Sequence, residues 1–324
     1  MTKIITKRHP LRFYALLVFV LLLFCGIGTL LIFAGIDILL EQQQPETKDY
    51  FMPIAGSVFY ILAFSLLYLY WKWSPKITID HDEHTIKFGN QIYSLKEIKD
   101  VILKGKMQFR YIFQFPVEGT AIFFNDGTEK ILYDDLYSNI WEIKSFLNQT
   151  IINKQEYKPS VAQKTDRNRI RFEIEETFKG NQFLSFRGIF FWPFICLLAF
   201  MFFAGIGRYP WGILIFPVTF GTAFFILLSW QIHYFGLTEN SLIVRNHNYI
   251  WMAKIYPLLD IKEVVFEGLG NQAFSMRIIT NDFRNKRYQA GTLRDKTWLY
   301  LKDKLEAKGI IVRNECIVEK KQNE

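Results

Sequence analysis

The chain has 324 residues, enough for two modest domains, and half of them are apolar while only 22% are charged. Its formal net charge of +8 does not by itself indicate nucleic acid, because membrane proteins carry excess Lys and Arg beside their spans for reasons of topology. Cys25, Cys196 and Cys316 show no metal-ligand spacing and no even framework, which argues against a secreted disulfide scaffold and favours a reducing interior.

Two apolar runs near the N-terminus, residues 13–36 and 51–71, predict a transmembrane helical hairpin over residues 13–71. Each run reaches about 20 residues, the length that an α-helix needs to cross the hydrocarbon core of a bilayer. Basic residues precede the first run, as in a signal peptide, but the run is about twice as long as a typical signal core and lacks a small-x-small cleavage site. The sequence therefore predicts a retained first helix, preceded by a cytoplasmic N-terminus of residues 1–12.

From residue 75 the apolar residues adopt a period of two, which predicts short antiparallel strands in a domain over residues 75–153. Asp126-Gly127 lies between two of these strands and is a strong β-hairpin signal. The alternating apolar residues are Ile77, Ile79, Ile86, Phe88, Phe109, Tyr111, Phe113 and Phe115. One amphipathic helix that closes the domain is predicted from apolar residues at helical spacing, namely Ile140, Ile143, Leu147 and Ile151.

Residues 154–187 are polar and of mixed charge, and we interpret them as a linker. The segment is expected to be flexible near Lys158-Pro159 and then to form a strand or an interfacial segment that leads into the next span. Its clustered arginines are candidates for contact with the anionic inner leaflet: Arg167, Arg169 and Arg171. Nucleic acid would require a larger basic face with interleaved aromatic residues, so it is not predicted as a partner.

Residues 188–207 and 212–235 form a second pair of apolar runs, which predicts a second transmembrane hairpin over residues 188–235. The first of these runs holds no charge, and the second contains only His233, near its end. None of the four predicted spans contains Asp, Glu, Lys or Arg. This argues against an ion-coupled transporter, because such proteins usually place an ionisable group at membrane depth.

The distribution of Lys and Arg predicts that both termini and both β domains face the cytoplasm. Four basic residues precede the first span, whereas the loop after it carries four acidic residues and only Lys48. Arg208, between the third and fourth spans, is the exception. Basic residues flank the other cytoplasmic span ends, at Lys72, Lys76, Lys179 and Arg187. The sequence therefore predicts a multi-pass protein of the cell membrane, plasma or bacterial inner.

Residues 236–312 are predicted to form a second β domain with the same order of elements, followed by a polar tail over residues 313–324. Strands are predicted near residues 234–237, 242–245, 249–256, 261–267, 274–280 and 287–290, the first two joined by a Glu239-Asn240 turn. A closing helix is predicted from Trp298, Leu301 and Leu305 on one face, with Gly309 as its stop.

The two β domains share a short sequence match. Residues 97–101 read Glu-Ile-Lys-Asp-Val, and residues 260–264 read Asp-Ile-Lys-Glu-Val. Gly105 and Gly268 then fall in register four residues later. Because the matched segments also follow corresponding strands, we interpret the chain as an internal duplication.

The paired hairpins, the strands that start at Ile98 and Ile261, and the terminal helices resemble bacterial membrane proteins with pleckstrin-homology-like domains beside transmembrane hairpins. The resemblance covers both halves. It implies, in each half, a bent β-sandwich or half-open barrel capped by one helix, with a binding or scaffold role and no catalysis. Eukaryotic lipid-binding members place Lys and Arg in the first hairpin to grip phosphorylated headgroups. The corresponding turns here, residues 81–84 and 238–241, are acidic or neutral, which argues against specific inositide binding.

Arg284, Lys286 and Arg287, in the last hairpin of the second domain, are the candidate contact for anionic lipid headgroups or a protein partner. Each basic group near an anionic membrane surface contributes about 1 kcal/mol to binding. A solvated basic loop is the alternative interpretation of this cluster.

Other chemistry-bearing residues carry weaker signals. His81 and His84 lie among carboxylates, but a tight turn points its side chains in divergent directions, so no metal site is predicted. Asp134-Asp135 precedes the first closing helix and is interpreted as its cap region. The sequence contains no Gly-rich phosphate loop, paired-cysteine motif or Gly-x-Ser-x-Gly motif, so neither catalytic residues nor a cofactor are predicted.

These patterns together predict an integral membrane protein with four transmembrane helices and two cytoplasmic pleckstrin-homology-like β domains. Its predicted function is non-catalytic binding or scaffolding at the membrane surface. Membrane lipids, and an unidentified protein partner or a second copy of the chain, are the expected partners. The alternative is a four-helix transport or channel component whose β domains are regulatory.

Overall fold

The structure, a computed structural model, describes residues 3–41, 46–110, 114–159, 176–208, 211–268 and 272–318. The chain divides into two units, Met1–Val161 and Ala162–Glu324. Tyr111 and Phe113 of the predicted strands, Arg167, Arg169 and Arg171 of the linker, and residues 319–324 of the tail lie outside the described residues.

The long helices are predominantly apolar. Unit 1 contains helices α1 (Leu16–Glu41) and α2 (Phe51–Trp73), with a π-helical turn at Pro10–Ala15 before α1 and a 3-10 turn at Thr47–Tyr50 before α2. Stretches in both helices, and a third in unit 2 at Phe186–Gly205, are long and apolar enough to cross a membrane. Helix α1 continues past the predicted end at residue 36 and includes Asp37, which is exposed.

The first sheet of unit 1 contains a strand that the sequence did not predict. Its four antiparallel strands, in spatial order, are β1 (Lys3–Ile5), β2 (Ile77–Asp80), β3 (Thr85–Phe88) and β4 (Gln91–Ser94). Strand β1 pairs with β2 through Ile4 opposite Ile79, although the whole hairpin α1–α2 lies between them in the chain. The segment predicted as a cytoplasmic N-terminus, residues 1–12, therefore contains a strand of this sheet, and the side chain of Ile4 is buried.

The second sheet of unit 1 packs with a short helix. The strands are β5 (Ile98–Ile102), β6 (Lys106–Arg110), β7 (Gln114–Phe124) and β8 (Glu129–Tyr133), followed by helix α3 (Ile140–Leu147) and a π-helical turn at Asn148–Ile152. Both β5 and β6 pair with β7, and β8 pairs with β7 across the Asp126-Gly127 turn. Ile140, Ile143 and Leu147 are buried, which confirms the helical face predicted from their spacing.

Unit 2 also has a pair of helices in the chain between the first two strands of a four-stranded sheet. Helices α4 (Phe186–Gly205) and α5 (Trp211–Ser229) lie in the chain between β9 (Glu176–Phe178) and β10 (His233–Leu237), and β11 (Ser241–Asn246) and β12 (Ala253–Pro257) complete the sheet β12-β11-β10-β9. Strand β9 lies in the predicted linker, where a strand or an interfacial segment is expected before the next span. The predicted apolar run to residue 235 ends too late, because His233 and Phe235 are buried in β10 and pair with β11.

The core of unit 2 includes buried residues of its second sheet and of the helix that follows this sheet. The remaining elements are β13 (Ile261–Glu267), β14 (Ser275–Thr280), β15 (Asn285–Gln289), helix α6 (Asp295–Ala307) and β16 (Val312–Asn314). Trp298, Leu301 and Leu305 of α6 are fully buried, which confirms the predicted face of this helix. Strand β16 pairs in parallel with β13, so the predicted polar tail is wrong over residues 313–314.

The two matched segments have the same local structure. A 3-10 turn precedes each strand, at Leu95–Glu97 and at Leu258–Asp260. The pairing register then shifts between Ile98 and Asp100 in one unit and between Ile261 and Glu263 in the other. A shift of this kind is a β-bulge, which bends the strand and redirects the residues that follow it.

Candidate binding surfaces at the helix ends

The end of α2 is clamped to the N-terminal segment of unit 1. The Arg8 guanidinium donates to the Ser74 carbonyl, with Nη2 at 2.9 Å, and lies 3.7 Å from the centre of the Trp71 ring. The Tyr70 hydroxyl donates to the Arg12 carbonyl at 3.3 Å. Cation–π and hydrogen-bond contacts therefore join the segment that follows β1 to the end of α2.

A cleft of about 380 Å³ lies beside this junction. Lys130 Nζ donates to Gln91 Oε1 at 2.7 Å, and its ammonium group lies 5.4 Å from the centre of the Tyr93 ring. The lining residues are Lys72, Trp73, Pro75, Phe88, Gln91, Glu129, Lys130, Ile131 and Tyr133. Lys72 and Lys130 supply ammonium donors and Glu129 supplies a carboxylate acceptor beside apolar walls. The cleft can therefore form charge-assisted hydrogen bonds in both directions with a polar or zwitterionic group.

In unit 2 the loop between β11 and β12 is bonded to the end of α5. Asn246 Nδ2 donates to the Ser229 carbonyl at 2.7 Å, and Asn248 Nδ2 donates to Ser229 Oγ at 2.6 Å. The Tyr249 hydroxyl donates to the Ile226 carbonyl at 3.2 Å. The sequence prediction of a strand over residues 249–256 is wrong for its first half, because these bonds hold the backbone in a turn and β12 starts only at Ala253.

Two cavities adjoin the helix ends of unit 2. One, of about 330 Å³, is lined by Trp230, Tyr249, Trp251, Met252, Ala253 and Lys254. The other, of about 250 Å³, is lined by Gln182, Phe186, Arg187, Gly188, Phe190, Phe191, Leu228 and Ile232. Arg187 donates from Nη1 to Gln231 Oε1, which joins the start of α4 to the segment that follows α5.

Arg284, the first residue of the predicted basic cluster, precedes the end of β15 that is farther from α5. Gln289, the last residue of β15, is next to the helix end, because its carbonyl accepts a hydrogen bond from His233 Nδ1 at 2.9 Å. Arg284 precedes β15 at its opposite end, about 16 Å away at the rise of an extended strand. Arg284 also pairs with Asp282 at 2.9 Å. This position disfavours contact between Arg284 and headgroups at the α5 end.

The three basic residues of the cluster do not share one face. Lys286 is exposed and lies opposite Ile278, whereas Arg287 is half-buried and lies opposite Arg277. Successive residues of a strand point to opposite sides of the sheet, so Lys286 and Arg287 face apart. Contact of these residues with a protein partner stays a prediction.

The histidine turn has the geometry expected of a simple turn. The His81 and His84 ring centres are 5.8 Å apart, and His84 has a φ of +50°. Across the residues that the structure describes, no group of three or more His, Cys, Asp or Glu side chains is placed to hold a metal ion.

Buried ion pairs form a set of features that the sequence analysis missed. Lys144 Nζ lies 2.6 Å from Asp134 Oδ2, and both side chains are almost completely buried. Asp135 pairs instead with Arg12. The interpretation of Asp134-Asp135 as a cap region is therefore wrong, because both carboxylates bind cations from other elements. A second buried pair, Arg277 with Glu267 at 3.0 Å, lies in unit 2.

His233 lies at the junction of α5 with the sheet. Its side chain is fully buried, and its ring centre is 5.3 Å from that of Tyr288. Because a carbonyl only accepts, Nδ1 must donate to Gln289, while Nε2 has no hydrogen-bond partner among the described residues. Burial lowers the pKa of His233 to about 4, and the positive charge of Lys254 acts in the same direction. The imidazole is therefore neutral at pH 7.

Comparison with known proteins yields no assignment. No protein-family model matches this chain, and no curated protein matches it.

Proposed function

We propose that this chain is a membrane-anchored, non-catalytic binding or scaffold protein, with four transmembrane helices and two β units at the cytoplasmic face of the cell membrane. The main supporting observation is that, in each unit, a helical hairpin interrupts a sheet between two hydrogen-bonded strands. Ile4 lies opposite Ile79 across one hairpin, and Phe178 lies opposite Phe235 across the other.

This topology holds each β unit close to its helical hairpin, and therefore close to the bilayer surface. Only residues 74–76 separate α2 from β2, a reach of about 10 Å even when fully extended. A second chain segment, from β1 into α1, returns to the same helix pair. Each β unit thus has two short connections to its hairpin, which suits a module that presents its surface at a membrane.

The proposed pleckstrin-homology-like fold and internal duplication are supported by the repeated element order. In each unit a meander of four antiparallel strands precedes a bulged strand. Further antiparallel strands, three in unit 1 and two in unit 2, and then a helix follow it. The bulges occur at corresponding residues of the matched segments. The proposed cytoplasmic orientation follows from the basic residues that flank the helix ends, including Lys72 and Arg187.

Sheet edges are the proposed contact surfaces for a protein partner or a second copy. Strands β4 and β12 each have one neighbouring strand among those described, and they occupy corresponding ends of their sheets. Ile92 of β4 is 61% exposed, and all five residues of β12 are half-exposed. An exposed edge of this kind can accept an extended peptide as an additional strand.

Photo-crosslinking in native membranes tests this proposal. A photoreactive phenylalanine analogue is placed at Ile92, on the edge strand, or at Ile152, which is 47% exposed beyond α3. We expect a crosslinked product from residue 92 and little from residue 152. Monomer alone from residue 92, under conditions in which the reagent is activated, would count against a binding role for this edge.

The alternative, a transport or channel component, receives less support within the hairpins. Helices α1 and α2 contact closely, since a Cβ at Gly56 would lie 2.6 Å from the Gly28 carbonyl oxygen. Thr29 Oγ1 and Tyr60 Oη are 2.6 Å apart. In unit 2, the Phe194 and Phe224 rings lie 4.5 Å apart between centres. Ion flux across the membrane of vesicles that contain the purified chain would favour the transport or channel function over the scaffold function.

A further inference from the structure

The anchor loop is defined here as residues 246–252, which are the last residue of β11 and the segment between β11 and β12. Its position is set by α5. Three of its side chains bond to this helix: Asn246 and Asn248 bond to Ser229, and Tyr249 bonds to the Ile226 carbonyl. Asn246 Oδ1 also accepts the backbone N–H groups of residues 248 and 249, at 2.9 and 3.0 Å. The loop is therefore built onto the last turn of the helix.

The end of α5, which holds the anchor loop, lies beside the start of an apolar span. Helix α4 begins at Phe186, and its second residue, Arg187, bonds to Gln231, two residues beyond the end of α5. The stretch Phe186–Gly205 is long and apolar enough to cross a membrane. The anchor loop thus lies where this span would leave the hydrocarbon core.

Apolar side chains on the anchor loop point away from the protein core. Ile250 is 84% exposed and Trp251 is 79% exposed, and Trp230 at the end of α5 is 52% exposed. The rings of Trp251 and Trp230 lie 5.6 and 6.4 Å from that of Tyr249, measured between centres. An aromatic cluster continuous with a helix end matches the interfacial belt of membrane proteins, where Trp and Tyr are enriched.

We propose that the anchor loop inserts Ile250 and Trp251 into the headgroup–acyl boundary of the leaflet that holds the α4–α5 end. This contact fixes the first sheet of unit 2 against the membrane at a second point, beside the hairpin itself. The inference depends on the proposed membrane insertion of hairpin α4–α5.

Depth-dependent fluorescence quenching on the full chain tests the proposal. Cys25, Cys196 and Cys316 are replaced by Ala, and single cysteines carrying an environment-sensitive nitrobenzoxadiazole label are introduced separately. The test position is Trp251→Cys. Leu259→Cys is the matched aqueous control, because Leu259 is apolar, 91% exposed and follows β12 at its opposite end. Phe200→Cys, 69% exposed within α4, is the control for the span.

Each protein is reconstituted in vesicles of phosphatidylcholine and phosphatidylglycerol at a 3:1 ratio. We expect the label at residue 251 to be quenched by a lipid nitroxide near the headgroup, and several-fold less by iodide than the label at residue 259. The label at residue 200 should be quenched best by a nitroxide deep in the acyl chain. Ile250→Cys provides the same measurement if loss of Trp251 disturbs the aromatic cluster.

Two results at residue 251 would overturn the inference. Iodide quenching equal to that at residue 259 would place the loop in water, and protection from both iodide and lipid nitroxides would place it against protein. If residue 200 is quenched by lipid in either case, the hairpin is in the membrane and only the loop assignment fails. If residue 200 also escapes lipid quenching, the membrane insertion in the proposed function fails as well.

Discussion

Acidification is expected to destabilise unit 2 through His233, which lies between the end of α5 and the sheet. The ring is enclosed by Trp230, Tyr288 and the backbone of β15, and its Nδ1 donates to the Gln289 carbonyl. Protonation would place a second buried N–H beside these groups without an acceptor among the described residues. Burial, with Lys254 and His247 as nearby positive groups, therefore lowers the pKa of His233 to about 4.

The sign of the effect follows from proton binding. Between pH 6.5 and about 4 the unfolded chain binds a proton at this residue, whereas the folded unit does not. Stability is therefore full above pH 6.5 and is lost as the pH falls through this window. Between pH 7.5 and pH 4.5 the lost free energy of unfolding is about 2.5 kcal/mol, at 1.36 kcal/mol per pKa unit. His247, whose pKa is also lowered by burial, adds a change of the same sign.

Hydrogen exchange read by mass spectrometry measures this change separately in each unit of the full chain in nanodiscs. Opening free energies of peptides from β10 and β15 are compared at pH 7.5 and 4.5, after correction for intrinsic exchange rates. In His233→Gln, which keeps an amide donor for the Gln289 carbonyl, most of the pH dependence should disappear. An equal loss of protection in the wild-type and His233→Gln proteins would refute the assignment to His233.

Three further changes have expected magnitudes. Asp134→Ala should lower the free energy of unfolding of unit 1 by about 3–5 kcal/mol, because it leaves the buried Lys144 ammonium uncompensated. Urea denaturation measures this change. A loss below about 1 kcal/mol would mean that Lys144 reaches water. Gly56→Ala should destabilise the α1–α2 hairpin by about 1–3 kcal/mol in a detergent-denaturation titration, because its Cβ would meet the Gly28 carbonyl and Ile32. Gly26→Ala is the control, since nothing lies within 4 Å of its added Cβ, and equal effects of the two changes would contradict the close contact. Ile4→Asp, which places a charge in the core beside β2, should abolish exchange protection in β2 but not in β8; unchanged protection of β2 would show that β1 is dispensable.

The spacing of apolar residues is sufficient to predict helices that bury one face against the core. Trp298, Leu301 and Leu305 recur at helical spacing because α6 places one stripe on the core, and the structure buries all three. Turn chemistry was equally informative: Gly127 has a φ of +83°, the left-handed conformation that favours glycine in a hairpin. In these places local propensity and tertiary packing require the same structure.

Periodicity failed where a strand is too short to show a pattern or where pairing joins distant segments. Strand β1 has three residues and is not predicted, and the partners of β1 and β9 each follow after an entire hairpin. No local signal distinguishes Lys3–Ile5 from a basic N-terminal extension. The buried pairs were missed for a related reason, since Lys144 lies on a predicted helix but its partner Asp134 was assigned to a cap.

In the anchor loop, an apolar sequence predicts a strand that the structure does not contain. Tyr249, Ile250, Trp251 and Met252 are four consecutive apolar or aromatic residues, which favoured a strand. A strand would place alternate members on the core side, yet Ile250 and Trp251 are neighbours and both are exposed. The asparagines at 246 and 248 supply the missing explanation, because their amides bond to the end of α5 and bend the backbone before the apolar residues begin. Beside a membrane-spanning helix, exposed apolar residues can leave water by entering the bilayer instead of the protein core. An apolar run near such a helix end therefore does not by itself predict a buried strand.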